Sequence, residues 1–298
     1  MTHDHPAEAR THYLDSTPRT ALVTAFPPEW DALAHMIAQP RELAINGNIL
    51  ILGLLDDHPV ALMQSGISMV NAAMHTQALL DHFRIRRILF SGIAGGVDPM
   101  LRVGDVVAPE RWGQNMEVAY ARETPDGFDP PQGLPGGTDL PGHGPFFPRD
   151  VIVGNAEMPA QERRWFPVDA ELLAAARKLV PDAPLAKKLP AAIDGTQEGL
   201  DHQPRLVVGG NGVSGSAFVD NAAYRAYLAE IYSARVVDME TAAVAQVAWT
   251  NNVPFIAFRS LSDLAGGDAG PNTMRIFMTL AAANSAAIVR SFVNALHP

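Results

Sequence analysis

Apolar positions in this chain fall into short runs that alternate between strand and helix periods. Thr20–Phe26 (TALVTAF) is an apolar run of strand length. Pro27 and Pro28 follow and suit a first helical turn, after which Leu33, Met36 and Ile37 share one helical face. NILILGLL and PVALMQSG are apolar runs parted by Asp56, Asp57 and His58, which predicts a hairpin. Residues 68–83 carry helical spacing, with Val70, Met74, Leu79 and Phe83 as expected core. RRILFSGIAGG predicts a strand running into a glycine turn, and VGDVVAPE another strand. Later segments predict a helix over 168–180, an apolar run RLVVGGNGVSGSAF, a helix near 221–232, the strand ARVVD, the helix METAAVAQVAW, the strand PFIAFRS and an Ala-rich helix over 273–295.

Strands alternating with helices predict an α/β fold. No repeat and no interdomain linker is visible. The expectation is a flexible polar tail over 1–18 and one domain over 19–298, carrying a Gly/Pro-rich insertion at about 112–165. Nearly half of residues 124–150 are Gly or Pro, a density that no long regular element survives. Phe128, Phe146 and Phe147 give this stretch apolar anchors for a lid or a subunit contact; a disordered insertion is the other reading.

Composition narrows the chemistry. The 298 residues suffice for one large core. A net charge of −10 argues against nucleic acid and anionic membrane as partners. The absence of cysteine excludes disulfides, thiolate nucleophiles and thiolate metal sites. His3 and His5 form a terminal pair, but no metal-site spacing such as HExxH is present. No metal or cofactor is expected. The N-terminal segment has no secretory h-region, and no uninterrupted apolar run reaches membrane-spanning length, so a cytoplasmic location is expected.

Two glycine clusters invite a ligand. Gly210, Gly212 and Gly215 satisfy GxGxxG, with Asp238 ending a following strand, the outline of a dinucleotide site. GVSGSAFV alternates like a strand, however, and the next helix starts no earlier than Asp220, which removes the helix N-terminus that such a site needs. Ser91–Gly96 lies at a strand end, where ligand crevices of α/β sheets form. Glu29, Glu240 and Asp263 also fall at or just past three strand ends. Each alone reads equally as a helix-start acid, and Ser262 or Asp263 as an N-cap. Together, convergent carboxylates suit glycosidic-bond chemistry, in which a cation-like sugar is stabilised and the leaving group protonated.

The ordered motifs carry a resemblance. TAFPPEWDAL (24–33), QSGISMVNAA (64–73), SGIAGGVDPMLRVGDVV (91–107), VSGSAFV (213–219), VVDMETAAVA (236–245) and VPFIAFRSLSDLA (253–265) resemble the nucleoside phosphorylase/nucleosidase superfamily, most of all the methylthioadenosine/S-adenosylhomocysteine nucleosidases. The insertion is similar to that of longer members, which include plant storage-protein relatives. The resemblance implies a three-layer fold, a central mixed sheet flanked by helices, and hydrolysis of a purine nucleoside. It implies that Asp263 protonates the purine N7 and that Glu29 orients or deprotonates the attacking water. Glu240 would accept hydrogen bonds from the ribose hydroxyls, with Met239 against the sugar and Phe218 stacked on the base. The Val219 backbone would read the purine edge and Arg259 would organise the carboxylates. Ser65, Gly66 and the Ala94–Gly95–Gly96 turn would floor the sugar site.

The chain departs from the family pattern at Asp238, where a longer Glu is usual, at Ile93, where Ser is common, and at Ser216, where Asp is common. These positions bear on which nucleoside is bound. The helix after Glu29 has no arginine before Arg41, and only Arg102 and Arg259 lie in the matched motifs, so water is favoured over phosphate as nucleophile. The alternatives are a phosphate-dependent phosphorylase and a non-catalytic nucleoside-binding or storage protein. The family pattern also implies a homodimer or larger homo-oligomer, with 112–165 at the interface or pocket rim.

Overall fold

The computed structural model describes residues 13–190 and 199–296. His3 and His5 lie outside the described residues. Among the described residues twelve strands form one mixed sheet. The main elements are β1 (Asp15–Thr24), α1 (Pro27–Ala34), β2 (Ala38–Ile45), β3 (Asn48–Leu55), β4 (His58–Gln64), α2 (Met69–His82), β5 (Phe83–Gly96), β6 (Val106–Ala108), β7 (Arg111–Gln114), β8 (Trp165–Pro167), α3 (Ala170–Leu179), β9 (Leu206–Val208), β10 (Asn211–Ser214), α4 (Ala222–Tyr232), β11 (Ala234–Asp238), α5 (Thr241–Thr250), β12 (Phe255–Asp263) and α6 (Met274–Ala295). The spatial order is β8-β7-β10-β11-β5-β1-β4-β3-β2; β12 lies beside β5 and joins β6, which pairs with β9.

The centre of the sheet is parallel: β4 with β1, β1 with β5, and β5 with β12. Parallel strands are covered on both faces, so they read as unbroken apolar runs. β12 is buried along its whole length, as are Ala21–Val23 of β1 and Ile88–Phe90 of β5. α6 packs on β12, β5 and α1, with Phe258 of β12 meeting Phe292 of α6 edge to face at 5.0 Å. By length and composition alone α6 is also long and apolar enough to cross a membrane. Its apolarity is explained by the core it fills. Two polar residues in its middle, Asn284 and Ser285, are buried against partners: Asn284 bonds Ala186, and Ser285 Oγ donates to the Phe258 carbonyl at 2.8 Å and accepts from the Gly92 N–H at 3.0 Å.

The predicted hairpin forms, with Leu55 opposite His58 and the turn residues Asp56 and Asp57 at φ +46° and +69°. Two positive φ values in a two-residue loop are what the twist of paired strands requires. α3 starts on Asp169, whose carboxylate accepts from the N–H groups of Glu171 (3.0 Å) and Leu172 (2.9 Å). Asp169→Ala is expected to cost about 1 kcal/mol, measured as a lower urea midpoint at unchanged slope.

The structure corrects several sequence expectations. Order begins before residue 18: Asp15 pairs with Phe83 across β1 and β5, and its carboxylate holds Arg19 and Arg41 at 2.9 and 3.0 Å. β2 is an additional, largely exposed edge strand, whose polar sequence hid it. Val70 and Met74 are not core; they are 76% and 50% exposed, while Leu79 and Phe83 are buried. The Ala94–Gly96 segment is not a turn but the end of β5, where Gly96 and Gly95 pair with Val236 and Val237. RLVVGGNGVS makes two strands, because Gly209 and Gly210 turn the chain at φ +108° and +76°. Trp112 and Trp165 belong to the sheet, in β7 and β8, so the excursion lies between these strands. It is built of three-residue pairs: 118–120 with 146–148, 122–124 with 127–129, and 151–153 with 161–163.

Candidate active site

The ends of β1, β5, β11 and β12 meet around one cavity. Past β1, the first turn of α1 brings Glu29 back over the strand end, 2% exposed. Its Oε2 accepts the Ala25 N–H at 2.6 Å and its Oε1 the Ile93 N–H at 2.8 Å. Past β11, Asp238 turns inward. It accepts from the N–H groups of Glu240 (3.2 Å) and Thr241 (3.1 Å), from Ser214 Oγ at 2.5 Å and from the Thr241 hydroxyl. Asp238 therefore caps α5 and leaves the Glu240 carboxylate, at the N-cap position itself, free to face the cavity. Glu240 Oε1 accepts the Ser68 N–H at 2.7 Å.

Arg259, in β12, is fully buried beneath these acids. Its guanidinium lies 2.7 Å from Asp238, 3.5 Å from Glu29 and 3.7 Å from Glu240, and 3.9 Å above the Phe90 ring. Nη1 donates to the Ile93 carbonyl at 3.4 Å, while Nη2 has no hydrogen-bond partner among the described residues. Gly92 makes this junction possible. A Cβ there would sit 1.9 Å from Arg259 Nη1 and 2.5 Å from Glu29 Oε1.

Three carboxylates share one guanidinium in a site of low dielectric, so the cluster is short of positive charge. Burial pushes the Glu29 carboxyl up, against the lowering influence of Arg259 and its two backbone donors. Burial and the neighbouring Asp238 push Glu240 up to about 8. Asp263 stands apart from the arginine at the end of β12. It is 2% exposed, accepts the Ala265 N–H at 2.8 Å and the Ser262 hydroxyl at 2.9 Å, and burial raises its carboxyl above the usual range. A carboxyl that keeps its proton near neutrality can serve as an acid.

The cavity is lined by Glu29, Glu240, Asp263, Met239, Phe218, Val219, Ala94 and Gly95 among the expected residues. Arg259 lies behind the carboxylates rather than on the wall. Ser65 and Gly66 do not line it: the Ser65 hydroxyl is spent on the Gly66 carbonyl at 3.0 Å, and the next residue, Ile67, reaches the cavity instead. Phe26, Ala217, Ser262, Met274 and Met278 also line it and were not assigned to the site from sequence. The i, i+4 spacing of the two methionines at the start of α6 was the available signal for that wall. None of residues 112–165 lines the cavity, which corrects the expectation of a pocket rim there. The excursion acts one layer back, where Asn115 and Met116 press against Gly215.

The GxGxxG glycines serve packing. Gly212 lies against the Trp112 ring, Gly215 against Met116, and α4 does not begin until Ala222. No helix N-terminus follows the glycines, and the Asp238 carboxylate is consumed by Arg259, Ser214 and Thr241.

A mixed α/β sheet that gathers acids and one buried arginine at its strand ends, around an apolar cavity, defines a class of small-molecule proteins that bind at the sheet's edge. Comparison with known proteins supplies the family. The phosphorylase superfamily model matches residues 19–294, and the chain belongs to that superfamily. The 5′-methylthioadenosine/S-adenosylhomocysteine nucleosidase of Anoxybacillus flavithermus is 31% identical over 93% of this chain and 98% of its own. The nucleosidase of the same name from Mycobacterium tuberculosis is 29% identical over 90% and 94%. Among solved structures, a Helicobacter pylori nucleosidase mutant with 5′-methylthioadenosine in its active site superposes with a TM-score of 0.69 at 21% identity, covering 93% of this chain and 99% of that one. The futalosine hydrolase of Helicobacter pylori superposes at 0.67 and 21%, over 94% and 98%. These two share the fold.

Proposed function

We propose that the protein hydrolyses the N-glycosidic bond of methylthioadenosine or S-adenosylhomocysteine and releases adenine. The observation that carries this reading is the division of the cavity's acids. Asp263 stands away from the arginine and burial raises its carboxyl, which favours its acid form, while Glu29 and Glu240 flank the buried Arg259 guanidinium, whose charge opposes the upward push of burial on both. As the C1′–N9 bond breaks, its electron pair passes to the purine and the Asp263 proton to N7. The ribosyl cation forms beside Glu29 and Glu240. Water adds to C1′ and its proton goes to Glu29. Glu240 accepts from the ribose hydroxyls, Met239 packs on the sugar, and Phe218 stacks on the base while the Val219 backbone meets its edge.

Water is preferred to phosphate because no arginine lines the cavity among the described residues, and Arg259, which lies behind it, is already surrounded by three carboxylates. A phosphate dianion there would meet those acids. Ile67, Val70, Met74 and Phe218 are exposed apolar residues on α2 and nearby loops, and they support a homodimer in which a second copy covers this face. Adenine release from both nucleosides is measured with and without phosphate. The expected rate is independent of phosphate. A strict phosphate requirement would make the protein a phosphorylase.

A further inference from the structure

Ser68, which precedes α2, has backbone angles of φ +83° and ψ 158°. This region is nearly reserved for glycine, and side chains held in it cluster at functional sites. Two contacts leave the residue in different directions. Its N–H donates to Glu240 Oε1 at 2.7 Å, and its hydroxyl donates to Ser216 Oγ at 2.9 Å. Ser216 belongs to the segment between β10 and α4 that brings Ala217, Phe218 and Val219 to the cavity. That segment is anchored at its ends, by Gly215 N–H to the Asp238 carbonyl (3.1 Å) and Asn221 N–H to the Ala265 carbonyl (3.2 Å). Between these anchors Phe218 is 54% exposed. Among the described residues, Ser68–Ser216 is the hydrogen bond that ties this segment to α2 across the cavity mouth.

We propose that Ser68 and Ser216 form a latch: a positioning pair that fixes the Glu240 carboxylate from one side and holds the Phe218 segment over the bound base from the other. Neither touches the reacting atoms, and the role in substrate binding rests on the nucleosidase reading above. Its effect belongs in substrate affinity, because the latch holds a wall and leaves the proton donor Asp263 untouched.

Three single variants and one double test it. Ser216→Ala removes one hydroxyl, and Ser216→Thr keeps it. Ser68→Gly removes the other hydroxyl while keeping the N–H on Glu240, in a residue that adopts positive φ freely. Ser216→Ala and Ser68→Gly are each expected to raise KM about fivefold, the value of one hydrogen bond, at a kcat within about twofold of wild type. Ser216→Thr should stay near wild type, and the double variant should be no worse than either single, because both delete the same bond. Amide hydrogen exchange of residues 216–219 in ligand-free protein should quicken in both single variants while β12 is unchanged. Exchange is independent of catalysis, so it decides the latch even if wild type releases no base. Unchanged exchange at 216–219 or additive KM effects would each overturn the latch.

Discussion

Asp263→Asn is expected to lower kcat for adenine release by about 10²–10⁴-fold, the range of general acid catalysis, with KM changed only a few-fold. Asn keeps the size of the side chain and an oxygen for the Ala265 N–H, so folding is preserved. What it lacks is the transferable proton. The pH profile provides the second signature. Burial raises the Asp263 carboxyl, and the proposed acid works protonated, so on its account activity should be retained at low pH and lost as pH rises through the raised pKa. In the proposed mechanism Glu29 takes the water's proton and so works ionised, and it is also raised by burial, so its limb should run the other way: activity should be lost as pH falls through that pKa. Wild type should give a bell in kcat, and the residual activity of Asp263→Asn should keep the acid limb and lose the alkaline one. A variant retaining more than a tenth of wild-type kcat would remove Asp263 from the chemistry.

Gly92→Ala is the second large effect. The added methyl would enter the space between Arg259 and Glu29, 1.9 and 2.5 Å from their polar atoms. Neither group can yield cheaply. Arg259 is pinned by Asp238 and the Phe90 ring, and Glu29 by two backbone N–H groups. The Gly92 N–H is itself bonded to Ser285. Overpacking a filled core costs about 1–3 kcal/mol, and separating a buried ion pair adds to it by leaving a charge uncompensated. The expected result is a Tm several degrees lower together with a kcat loss on the order of 10²-fold, since misplacing catalytic groups by about an ångström has that effect. Circular dichroism melting and base release measure the two. A fully active, fully stable Gly92→Ala protein would show that Glu29 and Arg259 need not meet.

Much of this was legible because the parallel core strands must be apolar throughout. TALVTAF, NILILGLL, ARVVD and PFIAFRS each form a strand where the runs predicted one, and the helices over 170–179, 222–232, 241–250 and 274–295 follow their patterns. The candidate acids were legible for a related reason. A charged residue at the end of a buried strand or a few positions past it, as Asp263, Glu240 and Glu29 are, stands where a sheet opens onto a crevice.

Other features depended on partners distant in sequence. β2 is polar because it is an edge, and only pairing with β3 makes it a strand. Val70 and Met74 have helical spacing, but the sheet lies on the other side of α2. Ser68 shows nothing in sequence; its meaning comes from Glu240 and Ser216, both more than a hundred positions away.

The sequence by itself determined the α/β class, the order of the core strands and helices, and which acids lie at strand ends, since these follow from local periodicity and chain continuity. Only the tertiary structure decided that Asp238 caps α5 so that Glu240 faces the cavity. It also decided that one arginine serves three carboxylates through the space left by Gly92, and that Asp263 is buried outside that cluster, where burial raises its carboxyl. Those properties are set by burial and by distances between groups, and both arise only when the strand ends are brought together.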